Sequence, residues 1–168
     1  MREVERIAGQ LKRAHEGGAW HGPAVDELLR GVTAEQAAAR PVESAHNIWE
    51  LVEHIEAWER AILCRLGGDP AQIYNTEEDW SSPTNVSESA WGTTRRRLAA
   101  TYAALREAVL ELDDAELDEP ILPNMSTRYV SLHGAIQHTL YHAGQIAVVR
   151  KALGLKSLTV DADTAGTI

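Results

Sequence analysis

The chain has 168 residues, 44% of them apolar, with a formal net charge of −9, five Trp, four Tyr and no Phe. That length suits one domain with a real core, and the apolar share excludes a disordered chain. The acidic balance excludes non-specific binding to nucleic acid and docking on anionic lipid, which leaves a small-molecule ligand or a protein as the expected partner.

Taken in order, Val4, Ile7, Ala8 and Leu11 predict a helix over 2–15, stopped by Gly17-Gly18. Trp20-His21-Gly22-Pro23 is a turn, and Thr33 with Gln36 reads as a capping box, so short helical turns are expected between 23 and 40. A second long helix is expected over 44–66, capped by Ser44 and closed by Gly67-Gly68. Its stripe is Ile48, Leu51, Val52, Ile55, Ile62 and Leu66, with His54 on the flank. Residues 67–86 are rich in Gly, Asp, Asn, Ser and Pro and are longer than an ordinary link between antiparallel helices. A crossover that leaves helices two and three parallel explains that length. The third helix is expected over 87–111 on the stripe Trp91, Leu98, Tyr102, Leu105, Val109 and Leu112.

Pro120 and Pro123 break the following segment, which is expected to cross one end of the bundle. The fourth helix runs over 128–153, and the wide arc of its apolar residues predicts the deepest burial of the four. Residues 156–168 read as a loose tail after a single 1–155 domain. No internal repeat and no β-rich segment interrupts this all-α reading. Cys64 stands alone, so no internal disulfide forms. No apolar run approaches the roughly 20 residues that span a bilayer. The charged start, Met1-Arg2-Glu3-Val4-Glu5-Arg6, leads into no signal-like core, so the cytoplasm is the expected location.

The chemistry-bearing feature is His138-Thr139-Leu140-Tyr141-His142 on the fourth helix. Residues four apart share a helix face with Cβ atoms about 5–6 Å apart, so both rings can turn onto one ion. His54, from a separate helix, supplies a third nitrogen, and three His with an open fourth position is the catalytic zinc pattern. Two core histidines satisfied by backbone or water fit the same spacing. For His15, His21, His46 and His133, surface or capping roles are expected, because none has a partner at chelating spacing. A zincin would need Glu where Thr139 stands. A di-iron bundle would need two Glu-x-x-His units, and only Glu43-Ser44-Ala45-His46 matches one.

The chain resembles the DinB/YfiT-like family over residues 1 to about 155. The resemblance rests on Trp20-His21-Gly22-Pro23, on Asn47-Ile48-Trp49-Glu50-Leu51-Val52-Glu53-His54-Ile55, and on Gln137-His138-Thr139-Leu140-Tyr141-His142-Ala143-Gly144-Gln145-Ile146 with Arg150 and Leu153-Gly154. It implies a four-helix bundle of up-down-down-up topology with a long connection between helices two and three. It also implies one divalent metal, zinc or nickel, on His54, His138 and His142, and a homodimer, for which abundant surface Trp would supply a second apolar face. Some relatives are S-transferases or isomerases that use a low-molecular-weight thiol, which points to a metal-dependent thiol transferase acting on small electrophiles. A non-catalytic metal-binding or stress-response helical module is the alternative. Asn47, Glu50 and Trp58 lie within two turns of His54 and are candidates to line a cleft there. Cys64 is nearly three turns away and is not assigned as a nucleophile.

Overall fold

The computed structural model describes residues 1–155, and the tail expected over 156–168 lies outside them. Its elements are α1 (Glu3–Glu16), α2 (Val25–Leu29), α3 (Ala34–Ala38), α4 (Ile48–Leu66), α5 (Glu88–Glu111), a 3-10 turn (Asp114–Asp118) and α6 (Arg128–Ala152). Among the described residues there is no strand, and no helix is long and apolar enough to cross a membrane.

Side-chain pairs give the helix directions. Trp49 donates to Thr94 at 3.1 Å and Thr101 donates to Glu56 at 2.9 Å, so numbers rise together and α4 and α5 run parallel. Between α1 and α5 they run oppositely: Arg2 donates to the Leu110 and Leu112 carbonyls, while His15 stacks on Tyr102 at 4.3 Å. His54 of α4 meets His142, whereas Trp58 and Glu59 meet His138 and Thr139, so α6 is antiparallel to α4.

The link over 67–86 turns back along α4 and makes the parallel pairing reachable. Its Ala71 carbonyl accepts from Arg65, its Asp79 carboxylate from Trp58 at 2.9 Å, and its Ser82 hydroxyl donates to Glu50 at 2.6 Å. The chain thus re-enters α5 beside the first turn of α4.

Two large apolar clusters fill the bundle, with a small third one of Ala57, Ala61 and Ile73 under the link. One gathers Ile48, Trp49, Leu51, Ile55, Trp91, Leu98 and Ile146; the other gathers Ile7, Leu11, Leu105, Val109 and Leu132. Each fully buried Leu or Ile contributes about 1.5–3 kcal/mol relative to exposure. The indole N–H of Trp91 donates to the Val32 carbonyl at 2.8 Å, which removes the cost of burying it. Asp114 accepts from the amides of Glu3 and Val4 at 2.9 and 3.0 Å and so ties the segment before α6 to the start of α1.

Three expectations need correction. The second long helix begins at Ile48, not Ser44, because Asn47 caps it by accepting from the Glu50 amide at 2.9 Å while Glu50 reaches back to the Asn47 amide. The most buried long helix is α4 rather than α6. α4 lies between α5 and α6 beneath the returning link, while α6 leaves Tyr129, Val130, Tyr141 and Val148 exposed. Nor is Trp abundant at the surface: Trp20 and Trp80 are exposed, but Trp49 and Trp91 are core residues.

Candidate metal centre

His54 projects from the middle of α4 and His138 and His142 from successive turns of α6. Antiparallel packing of these two helices brings the three rings together. His138 Nε2 lies 3.0 Å from His54 Nε2 and 3.1 Å from His142 Nε2. The three form a cluster with the reach to hold an ion, two of them buried and His138 half-buried.

The outer nitrogens of two rings are already committed. His54 Nδ1 donates to the Asp79 carbonyl at 2.5 Å, and His142 Nδ1 donates to Gln145 Oε1 at 3.1 Å. In neutral rings those bonds leave both Nε2 atoms as bare lone pairs aimed at His138. His138 Nε2 can donate one proton at most, so one of the two contacts would set lone pair against lone pair. A shared cation resolves that conflict. Two nitrogens held on one ion at about 2.0–2.1 Å, at angles of about 90–109°, lie about 2.8–3.4 Å apart. The two separations from His138 Nε2 fall in that range, and the donor set fits a divalent transition metal.

The surroundings keep the rings neutral. Burial pushes His138 down to about 3, with the neighbouring His142 and His54 adding to the effect. Burial also pushes His142 down to about 4 against the opposing effect of its hydrogen bond to Gln145, and it lowers His54. Neutral imidazole is the form that ligates.

Asp79 and Trp80, in the link, are the functional neighbours that sequence reasoning missed. The Asp79 carboxylate accepts from Trp58 Nε1 at 2.9 Å and from the Asn75 amide at 3.2 Å, which fixes the carbonyl that orients His54. The Trp80 indole lies flat on His54, with centroids 3.7 Å apart, and edge-on to His142. Irregular segments have no period to betray such residues. A Trp beside Asp in a link rich in small polar residues was the one available signal.

The other candidates separate cleanly. Trp58 does border the centre, 5.8 Å from the His138 ring. Asn47 and Glu50 do not: they form the cap of α4, and Glu50 pairs with Arg40 and Ser82. His46 stacks on the far face of Trp80, at 3.6 Å, with Nδ1 toward Glu50. His21 is exposed, His133 lies against Tyr129, and Cys64 is a half-buried free thiol outside the cluster. His15, expected at the surface, is instead 1% exposed and bonded to Glu59 at 2.6 Å, because α1 packs on α5, where the ring stacks on Tyr102 and reaches across to α4.

A family model described as the DinB superfamily matches residues 19–146, a span that contains all three clustered histidines. No curated protein matches the chain. Among solved structures, the crystal structure titled as the conserved protein of locus from Enterococcus faecalis is similar over 92% of this chain and 99% of that one. Its TM-score is 0.70 at 20% identity, a likeness of fold.

Proposed function

We propose that this chain, which belongs to the DinB superfamily, holds one divalent metal ion, zinc or nickel, on His54, His138 and His142, and acts as a metal-dependent thiol transferase on small electrophiles. The observation that carries the metal reading is the convergence of three Nε2 atoms, two of them left bare by hydrogen bonds from the opposite ring nitrogen. With no carboxylate ligand to offset its charge, the ion when bound would lower the pKa of a water or low-molecular-weight thiol. The protein's part is orientation. The Asp79 carbonyl holds the His54 ring, Gln145 holds His142, and the indoles of Trp58 and Trp80 shield the centre from water on two sides.

A second reading, a non-catalytic module in which the ion staples the fold, has one observation in its favour. The link over 67–86 is fastened to the centre through Asp79 and Trp80, so a bound ion would also pin that link. Elemental analysis of purified protein followed by a thiol-consumption assay with several electrophiles separates the readings. Transferase activity predicts metal-dependent thiol loss that His142→Ala abolishes. A staple predicts no thiol loss but a large metal-dependent rise in melting temperature.

The reading includes a cytoplasmic homodimer. The exposed Val130, Tyr141 and Val148 of α6 offer an apolar face for a second copy. Sedimentation as a monomer at micromolar concentration would count against it.

A further inference from the structure

Between Val130 and Arg150, the residues of α6 that face solvent are Val130, Gly134, Gln137, Tyr141, Gly144 and Val148. Steps of four and three residues keep them on one stripe, the spacing of a helix seam that meets another helix. Val130, Tyr141 and Val148 are each more than half exposed. Of the whole chain 24% is charged, yet α6 carries no Asp, Glu, Lys or Arg from Tyr129 to Val149. For a molecule of net charge −9, whose copies repel elsewhere, this stripe is where approach costs least. A helix interior disfavours Gly by about 1 kcal/mol relative to Ala. No packing within the chain requires it here, because a Cβ on Gly134 or Gly144 would meet nothing within 4 Å.

The order of the stripe is nearly a palindrome. Reversed about the level of Thr139, Val130 falls on Val148, Gly134 on Gly144 and Gln137 on Tyr141. A two-fold interface between identical chains demands self-complementarity of this kind. β-Branched side chains meet at both ends, paired glycines let the helices close, and an amide meets a phenol at the centre, where they can hydrogen-bond. Charge at the ends selects the direction. At the start of α6, Arg128 is shared by Glu119 at 2.8 Å and Glu116 at 3.5 Å, which leaves that end acidic. At the other end Lys151, the next residue along the stripe, is exposed. An antiparallel pair sets each Lys151 against the acidic end of the other copy. A parallel pair sets Lys151 against Lys151 and the acidic ends against each other.

We propose that two copies of this chain associate through α6 in antiparallel register, about a two-fold axis level with Thr139, and that each copy completes the other's cavity beside the histidine cluster. The proposal rests on the homodimer reading above and adds its geometry. Val130 and Gly134 belong both to the stripe and to a cavity of about 350 Å³ between α4 and α6, lined also by Trp58, Ile62, Ser131 and His138. In the antiparallel register the second copy brings its Tyr141 and Val148 over this rim. The opening next to His138 is then bounded by both chains.

The test is site-directed trapping in the full chain, with Cys64→Ser as the background. Val130→Cys and Val148→Cys proteins, each alone and mixed in equal amounts, are treated with a short bismaleimide at tens of micromolar protein and read by mass spectrometry. The mixture should give a product that joins one chain of each variant. Either variant alone should give about tenfold less or lower, because the antiparallel register sets like positions about 27 Å apart at 1.5 Å per residue. Gly134→Glu, which improves helix propensity and places a carboxylate in the glycine layer, should sediment as a monomer with an unchanged circular dichroism spectrum. The same products are expected with zinc added or stripped, so failure of the metal reading leaves the result intact. Three results would overturn the register and leave a homodimer through another face: cross-linking of each variant alone as strong as in the mixture, no mixed product from variants that sediment as dimers, or an undiminished Gly134→Glu dimer. A monomeric parent would overturn both.

Discussion

Replacing Gln145 by Leu should weaken metal binding about tenfold while leaving the bundle folded. Gln145 sits half-buried on α6, one turn beyond His142, and its Oε1 accepts from His142 Nδ1 at 3.1 Å. That bond selects the tautomer with Nε2 bare and holds the ring toward His138 and His54. Loss of such an orienting partner costs about 10–100-fold in metal affinity, or about 1.4–2.8 kcal/mol at 1.4 kcal/mol per decade. The low end is expected because the amide is neutral and orients the ring without adding negative charge. Leu is also a good helix former, so the metal-free variant should melt within a few degrees of the parent. Competition of zinc between the protein and a chromophoric chelator measures the change, with circular dichroism as the fold control. A dissociation constant within twofold of the parent, in a folded variant, would refute the assignment of Gln145 as the group that orients His142.

His15→Ala should destabilise the protein by about 3–5 kcal/mol in urea denaturation, because it leaves the Glu59 carboxylate buried without its charged partner. His15 is raised above its ordinary value, so the pair's contribution is complete below about pH 6.5 and is lost as pH rises through the folded value. The parent-minus-variant difference should therefore shrink toward alkaline pH; a difference that grows would reverse the sign. For His138 and His142 the order is opposite. Their folded values, about 3 and about 4, lie below the unfolded value, so the unfolded chain binds more protons between roughly pH 3 and 6.5. Metal-free protein should gain stability as pH rises through that window, with a shallower rise in the His138→Gln/His142→Gln variant. Arg150→Met should cost about 1–3 kcal/mol, because the guanidinium donates to the Leu28 carbonyl at the end of α2; unchanged stability would show that this contact is incidental.

How much of this was legible in the sequence depends on the range of the forces involved. The shared face of His138 and His142 follows from the turn of one helix, so their spacing alone placed them together. The parallel run of α4 and α5 could be read from the length of the 67–86 link, since a short turn could not return the chain along α4. His54 was harder: its flank position was visible, but its approach to His138 depends on the packing of two helices 84 residues apart. Asp79 and Trp80 were invisible because an irregular segment has no periodicity to say which side chains turn inward. The burial of His15 is hidden for a similar reason, its partner Glu59 lying 44 residues away on another helix. The start of α4 was an error of choice between two good caps. Asn47 with Glu50 three residues on carried the capping-box spacing that Ser44 lacked. For α6, apolar residues around the whole helix suggest deep burial, whereas several of them face outward.

The central claim, one divalent ion on three histidines from two helices, is tested most directly by zinc stoichiometry. Metal-free parent, His54→Ala, His142→Ala and His21→Ala proteins would be equilibrated with zinc, dialysed against a weak chelator and analysed by elemental mass spectrometry. The parent and His21→Ala should each retain about one equivalent, and His54→Ala and His142→Ala should lose most of theirs, because removal of one imidazole leaves two neutral ligands. Retention of one equivalent by His142→Ala, or none by the parent, would contradict the account.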